Sequence, residues 1–297
     1  MILTVPGKTF LLGEYVALDG GPSLLLSTAP RFELRIHTAD SRRDLPFHHA
    51  SPAGRYFAKY AADLGQWSYE FIDPWKGLGG LGASSAQFAL LYTFHHDGDF
   101  KYPSDIDFKS LLEDYRACAW NGEGTPPSGA DVVSQLMGEV TWYNGRTFEA
   151  ETFPWPFPDL GFTLIRTGVK VATHEHLRQG TLAPHEVLRT IVSEAQKAFS
   201  NGDEMRLIEA VNACALALRQ ADLTASTTTD LLERMREKTN LFYAVKGCGA
   251  MGADIVLALH ARESAVAVAD WVASQGLSVC GAHAQLSSGL EIVRGRI

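Results

Sequence analysis

The chain has 297 residues, 46% of them hydrophobic and 20% charged, so it exceeds one ordinary domain and can bury a large core without disulfides. Its formal net charge of −8 argues against a general basic field for gripping nucleic acid, and an anionic ligand would need a local basic pocket. Cys118, Cys214, Cys248 and Cys280 are scattered, with no CxxC pair and no histidine cluster beside them, which argues against a zinc site and predicts buried thiols in a reducing compartment.

Residues 1–7 show neither a basic start nor a long apolar core, and no apolar run reaches the ~18 residues of a membrane helix. The expectation is a soluble cytoplasmic protein, monomer or homodimer, with no membrane or nucleic-acid partner. Residues 2–5 read as a short strand broken by Pro6-Gly7. Residues 10–12 and 15–18 read as strand or hairpin, and residues 24–27 and 32–37 as further strands, the last alternating apolar and polar. A helix is predicted over residues 55–64, a strand over 67–72, a buried helix over 83–94 and a second helix over 108–120.

Pro154, Pro156 and Pro158 then suit an extended connector and forbid a helix, which places a domain boundary between residues 1–153 and 159–297. Beyond it come a strand over 162–166, helices over 184–200, 204–221 and 228–239, a strand–loop–strand over 244–260, a helix over 264–275 and a closing strand pair around 279–293. Strands and helices alternate irregularly, so the class is α+β.

Three segments carry candidate chemistry. Residues 77–86 form a glycine-rich turn between a strand and a helix. Glycines let backbone N–H groups converge on one point, and the helix N-terminus adds unpaired donors and a partial positive charge. Gly80, Leu81, Gly82, Ala83, Ser84, Ser85 and Ala86 could thus cradle a phosphate, although a flexible turn with a serine cap fits the same residues. No Gly-Lys-Ser/Thr follows, so this is not a Walker loop. Lys8, presented after Pro6-Gly7, could reach an anionic group with Glu14 as its carboxylate neighbour, or simply be solvated. Asp131, after Ser128-Gly129-Ala130, is either a helix N-cap or a group that orients or deprotonates a hydroxyl. A fourth glycine-rich turn, residues 246–254, could close over the same ligand from the other side.

The order of these fragments resembles the GHMP kinases, the family of galactokinase, homoserine kinase, mevalonate kinase and phosphomevalonate kinase. The resemblance runs from Pro6 to about Leu259, through Pro-Gly-Lys with Gly-Glu-Tyr, Gly-Leu-Gly-x-Ser, Pro-Ser-Gly-x-Asp and the late glycine turn. It implies an N-terminal domain with a left-handed βαβ crossover, a ferredoxin-like C-terminal domain, and ATP with Mg²⁺ bound between them. Within the family, Ser128-Gly129-Ala130-Asp131-Val132 and the Thr167-Gly168 segment look most like phosphomevalonate kinases, with mevalonate or another small alcohol as the alternative acceptor. A non-catalytic nucleotide or metabolite sensor of the same fold is the alternative outside enzymes.

Carried over residue by residue, the resemblance implies Asp131 and Lys8 as the catalytic pair, residues 80–86 as the nucleotide cradle and Ser84 as a Mg²⁺ ligand. Glu14, Tyr15, Ser128, Gly129, Lys170, Thr173, Gly249 and Ala250 would contact mevalonate or 5-phosphomevalonate. Four positions depart from the family pattern. Ala83 stands where a first serine is usual, Met251 and Ala253 replace glycines, and Trp120 occupies the position of a Mg²⁺-ligating glutamate, with Glu123 the nearest carboxylate.

Overall fold

This computed structural model describes residues 1–38, 44–96, 105–168 and 183–294. Two sheets organise it. The first takes the order β10-β1-β2-β4-β5, with β3 attached to β2. β1 is Ile2–Leu12, β2 Pro22–Thr38, β3 Trp67–Ile72, β4 Val140–Asn144, β5 Glu149–Phe153 and β10 Glu291–Val293. β2 is long enough to serve two partners on the edge opposite β1: residues 22–26 pair with β4 and residues 33–38 with β3. Along it Phe32, Leu34 and Ile36 are buried while Glu33 and Arg35 are not, the period of two that gives a strand one wet face.

The second sheet has the order β7-β8-β6-β9, antiparallel throughout, from β6 (Leu160–Arg166), β7 (Ala244–Cys248), β8 (Ile255–Ala261) and β9 (Ser278–Ala282). Numbered within this unit in chain order, that is 2-3-1-4, the ferredoxin-like arrangement.

Helices α1 (Glu14–Leu18), α2 (Pro52–Lys59), α3 (Ala61–Leu64), α4 (Ala83–His95), α5 (Phe108–Ala119) and α6 (Ala130–Met137) belong to the first half. The second half adds α7 (His185–Asn201), α8 (Glu204–Gln220), α9 (Ser226–Arg236) and α10 (Ala265–Ser274). α4 is apolar on nearly every side because it is enclosed: Phe88, Ala89, Leu90 and Leu91 are all 0% exposed. Burying a side chain such as Phe88 or Leu91 contributes ~2 kcal/mol. One core cluster joins Leu11, Leu24 and Leu81 of the first half to Phe162, Leu164 and Ile255 of the second. The two sheets are therefore packed on a shared core.

Several sequence expectations are corrected. Pro6-Gly7 does not end the first strand, because β1 absorbs the pair as a register shift against β2 and runs on to Leu12. Tyr15-Val16-Ala17-Leu18 is helical, not extended: it is the five-residue α1, and its apolar run is too short to show a period. The two strands expected to close the chain as a pair lie in different sheets, β9 beside β6 and β10 beside β1. The last strand thus crosses back over the expected boundary into the first half.

Candidate active site

A cavity of about 530 Å³ lies where the first half meets the second sheet, and the glycine turn, Lys8 and Asp131 all line it. The turn is built by short-range chemistry. The Asp73 carboxylate accepts from the Trp75 N–H and the Gly77 N–H, both at 2.8 Å, and folds the segment after β3 back on itself. Gly80 has φ 94°, and a Cβ there would stand 3.0 Å from the Asp254 Cβ, so the turn presses directly on the second domain. Gly82, the N-cap of α4 at φ 88°, passes so close to Lys8 that a Cβ would lie 2.9 Å from the Lys8 Cγ. Only glycine suits both positions.

The first helical bond of α4 is Ala86 N–H to Gly82 O at 2.9 Å, so the amides of Ala83, Ser84 and Ser85 have no intrahelical partner. Ser84 is exposed and lines the cavity. Ser85 is buried, and its hydroxyl donates to Gly82 O at 3.0 Å, so that oxygen is committed inside the turn. Ala86 is fully buried behind it, whereas Leu81 lines the cavity while packing into the core.

Lys8 is fixed through its backbone, whose N–H donates to Leu81 O at 3.0 Å. Its Nζ stands 5.3 Å from the Phe10 ring centroid and has no hydrogen-bond or ion-pair partner among the described residues. Asp131 is the second residue of α6, not its cap. Gly129 takes the cap position at φ 77°, where a Cβ would lie 2.0 Å from the Leu112 Cδ2. Ser128 lines the cavity, its Oγ accepting from the Ala130 N–H at 3.3 Å. Asp131 Oδ1 accepts from the Val132 N–H at 3.1 Å.

Two contributors went unseen in the sequence. Tyr115 of α5 lines the cavity beside Asp131, and burial, reinforced by that carboxylate, pushes its phenol pKa well above the ordinary value. It therefore stays a neutral hydroxyl, able to donate. Gln135, one helical turn after Asp131, is fully buried and ties α6 to the Pro6 and Gly82 carbonyls. A glutamine inside an apolar helix face was the one available signal.

Glu14 does not partner Lys8. It opens α1 facing the second domain, where Lys246 Nζ donates to its Oε1 at 2.5 Å; Lys246 is 0% exposed and the Glu14 side chain 7%. Desolvation acts to lower the Lys246 pKa, but the pull of Cys248 and above all of the Glu14 carboxylate, the group that carries a full charge, raises it overall. A buried ammonium left without a partner would cost several kcal/mol, which is why this carboxylate is claimed. The Tyr15 hydroxyl accepts from the Met251 N–H at 3.2 Å. Gly249 lines the cavity, and Ala250 begins the short 3₁₀ turn Ala250–Gly252. Met251 adopts φ 55°, a conformation that glycine holds at no cost. Glu123 is exposed and is not among the residues lining the cavity. Lys170 and Thr173 lie outside the described residues.

A glycine turn opening a helix, a lysine-bearing strand and an Asp-bearing helix thus face one cavity beside a ferredoxin-like sheet. The fold is shared along nearly the whole chain by solved structures, among them small-molecule kinases. The Lin0012 protein from Listeria innocua superposes with TM-score 0.77 at 16% identity, covering 99% of this chain and 100% of that one. Streptococcus pneumoniae phosphomevalonate kinase in complex with phosphomevalonate and AMPPNP gives TM-score 0.75 at 17% identity, covering 95% and 99%. L. major mevalonate kinase in complex with R-mevalonate gives 0.65 at 19%, covering 92% and 91%. No family model matches the sequence, and no curated protein matches it. Among the described residues no helix is long and apolar enough to cross a membrane, and no cluster of three or more His, Cys, Asp or Glu could hold a metal ion.

Proposed function

We propose that this chain is an ATP-dependent phosphotransferase of the GHMP type acting on a small-molecule acceptor, with 5-phosphomevalonate as the first candidate and mevalonate or another small alcohol as the second. The observation that carries the reading is the single cavity lined at once by the glycine turn, Lys8, Ser84 and Asp131. The residues fit a nucleotide triphosphate: positive-φ glycines leave room for close approach, and the unpartnered amides at the start of α4 supply donors. ATP supplies the transferred phosphoryl group.

Mg²⁺ would be held chiefly by phosphate oxygens, with Ser84 as the protein hydroxyl within the turn. Lys8 places an ammonium on the same cavity, where it offsets charge that grows during transfer. Asp131 positions the acceptor and, for an alcohol, takes its proton. A phosphomonoester has a second pKa of ~6 and needs positioning more than proton removal. Tyr115 and Ser128 contribute hydroxyls on the acceptor side of Asp131.

The test is ADP release by the purified protein with ATP, Mg²⁺ and either mevalonate or 5-phosphomevalonate. Turnover with one and not the other assigns the acceptor. ATP binding without transfer to either, or to a panel of small alcohols, would replace the kinase reading with a nucleotide sensor.

A further inference from the structure

Helix α1 sends both of its polar side chains into the second domain, and both meet the same segment. Glu14 receives Lys246 Nζ, which also donates to Gly247 O at 2.9 Å. Tyr15 receives the Met251 N–H. The two contacts therefore grip the glycine turn 247–252 at its beginning and near its end.

That turn is folded tightly on itself and held from its far side. A Cβ on Gly247 would lie 2.7 Å from Gly252 O. On its far side the Thr228 hydroxyl donates to Gly252 O at 3.2 Å, and the Ala225 N–H donates to Met251 O at 2.9 Å. Just beyond the turn, Asp254 and Ile255 press on Gly80 of the other glycine turn. The 247–252 turn therefore adjoins the 77–82 turn through Asp254 and Ile255.

We propose that Glu14 and Tyr15 are positioning residues: through Lys246 and Met251 they seat the 247–252 turn and so fix the spacing between the two glycine turns that face each other across the cavity. The catalytic consequence rests on the kinase reading above; the seating does not. Both also line the cavity, so the substrate contact that the resemblance implies is compatible with this role and not required by it.

The experiment uses the full chain and two variants. Tyr15→Phe removes only the hydroxyl that accepts from Met251. The pair Glu14→Gln with Lys246→Met removes both charges together, so that no buried charge is stranded. Hydrogen exchange is read on peptides covering 247–252, with kcat and the KM for ATP measured alongside. We expect exchange of that segment to rise ~10-fold or more in each variant while the rest of the chain keeps its protection. We expect kcat to fall ~10-fold with KM for ATP changed less than about twofold, since misplacement acts on the aligned state rather than on nucleotide capture.

Unchanged exchange over 247–252 in both variants overturns the proposal. So does a loss of kcat that merely follows the fraction unfolded. If the unmodified protein transfers no phosphoryl group at all, the kinase reading falls and the exchange measurement alone decides the seating.

Discussion

Gln135 donates to the Gly82 carbonyl at 3.1 Å and from the same nitrogen to the Pro6 carbonyl at 3.0 Å. One amide thereby joins the strand bearing Lys8, the turn that opens α4 and the helix bearing Asp131. Replacing Gln135 by Leu leaves both carbonyls without that donor inside the core. The expected loss is about 2–4 kcal/mol of stability, read from denaturant midpoints at unchanged m.

Asp131→Asn keeps the shape of the side chain and removes its basicity. Transfer to an alcohol should fall on the order of 10²–10⁴-fold, with ATP affinity by calorimetry close to that of the unmodified protein. On the kinase reading, Lys8→Met should lower kcat on the order of 10²-fold, because the charge proposed to act on the transferring group is gone. Near-normal turnover in either variant removes that residue from the mechanism.

Gly82→Ala places a Cβ at φ 88° and 2.9 Å from the Lys8 side chain. The backbone strain alone costs about 1–2 kcal/mol, and Lys8 must shift. Thermal melts should show the first effect, and a fall in kcat beyond the loss of folded protein the second.

Lys246→Met strands the Glu14 carboxylate in the core and should cost about 3–5 kcal/mol. The folded Lys246 pKa lies above its ordinary 10.5, so its stabilisation is complete below that value and is lost only as pH rises through the folded pKa. In the pair variant Glu14→Gln with Lys246→Met, which strands no carboxylate, the stability gap to the unmodified protein should therefore be flat between about pH 6 and about pH 9.

His260 behaves in the opposite sense. It is fully buried between the Thr163 hydroxyl, 2.9 Å from its Nε2, and the Ala261 carbonyl, and burial lowers its pKa below the ordinary 6.5. On acidification the unfolded chain takes up the proton first, so stability falls as pH drops through that value. His95 and His283 are depressed by burial in the same direction. His260→Asn should shrink the decline in melting temperature between about pH 7 and about pH 5.

Long periodic segments were legible in the sequence: β3, α4 and α5 fall within a residue or so of where their patterns put them. The glycine turn ahead of α4 was legible too, from the glycines at 77, 79, 80 and 82. What stayed hidden was pairing over distance. Nothing near Glu14 shows that its partner is 232 residues away, or that Gln135 reaches back to Pro6. The Tyr15–Leu18 run was misread because four apolar residues show no period. Met251 was noticed as a departure from glycine, yet its left-handed backbone became visible only in three dimensions.

The pairing of Ile2, Leu3 and Thr4 with residues 291–293 bears on how the polypeptide matures. The strand that carries Lys8 precedes by most of this sequence the segment that covers its outer flank. Until residues 291–293 have emerged from the ribosome, that flank exposes an unsatisfied β edge. The glycine turn, Lys8 and Asp131 are all made well before β10, but the sheet that bears Lys8 is complete only when β10 has paired with β1.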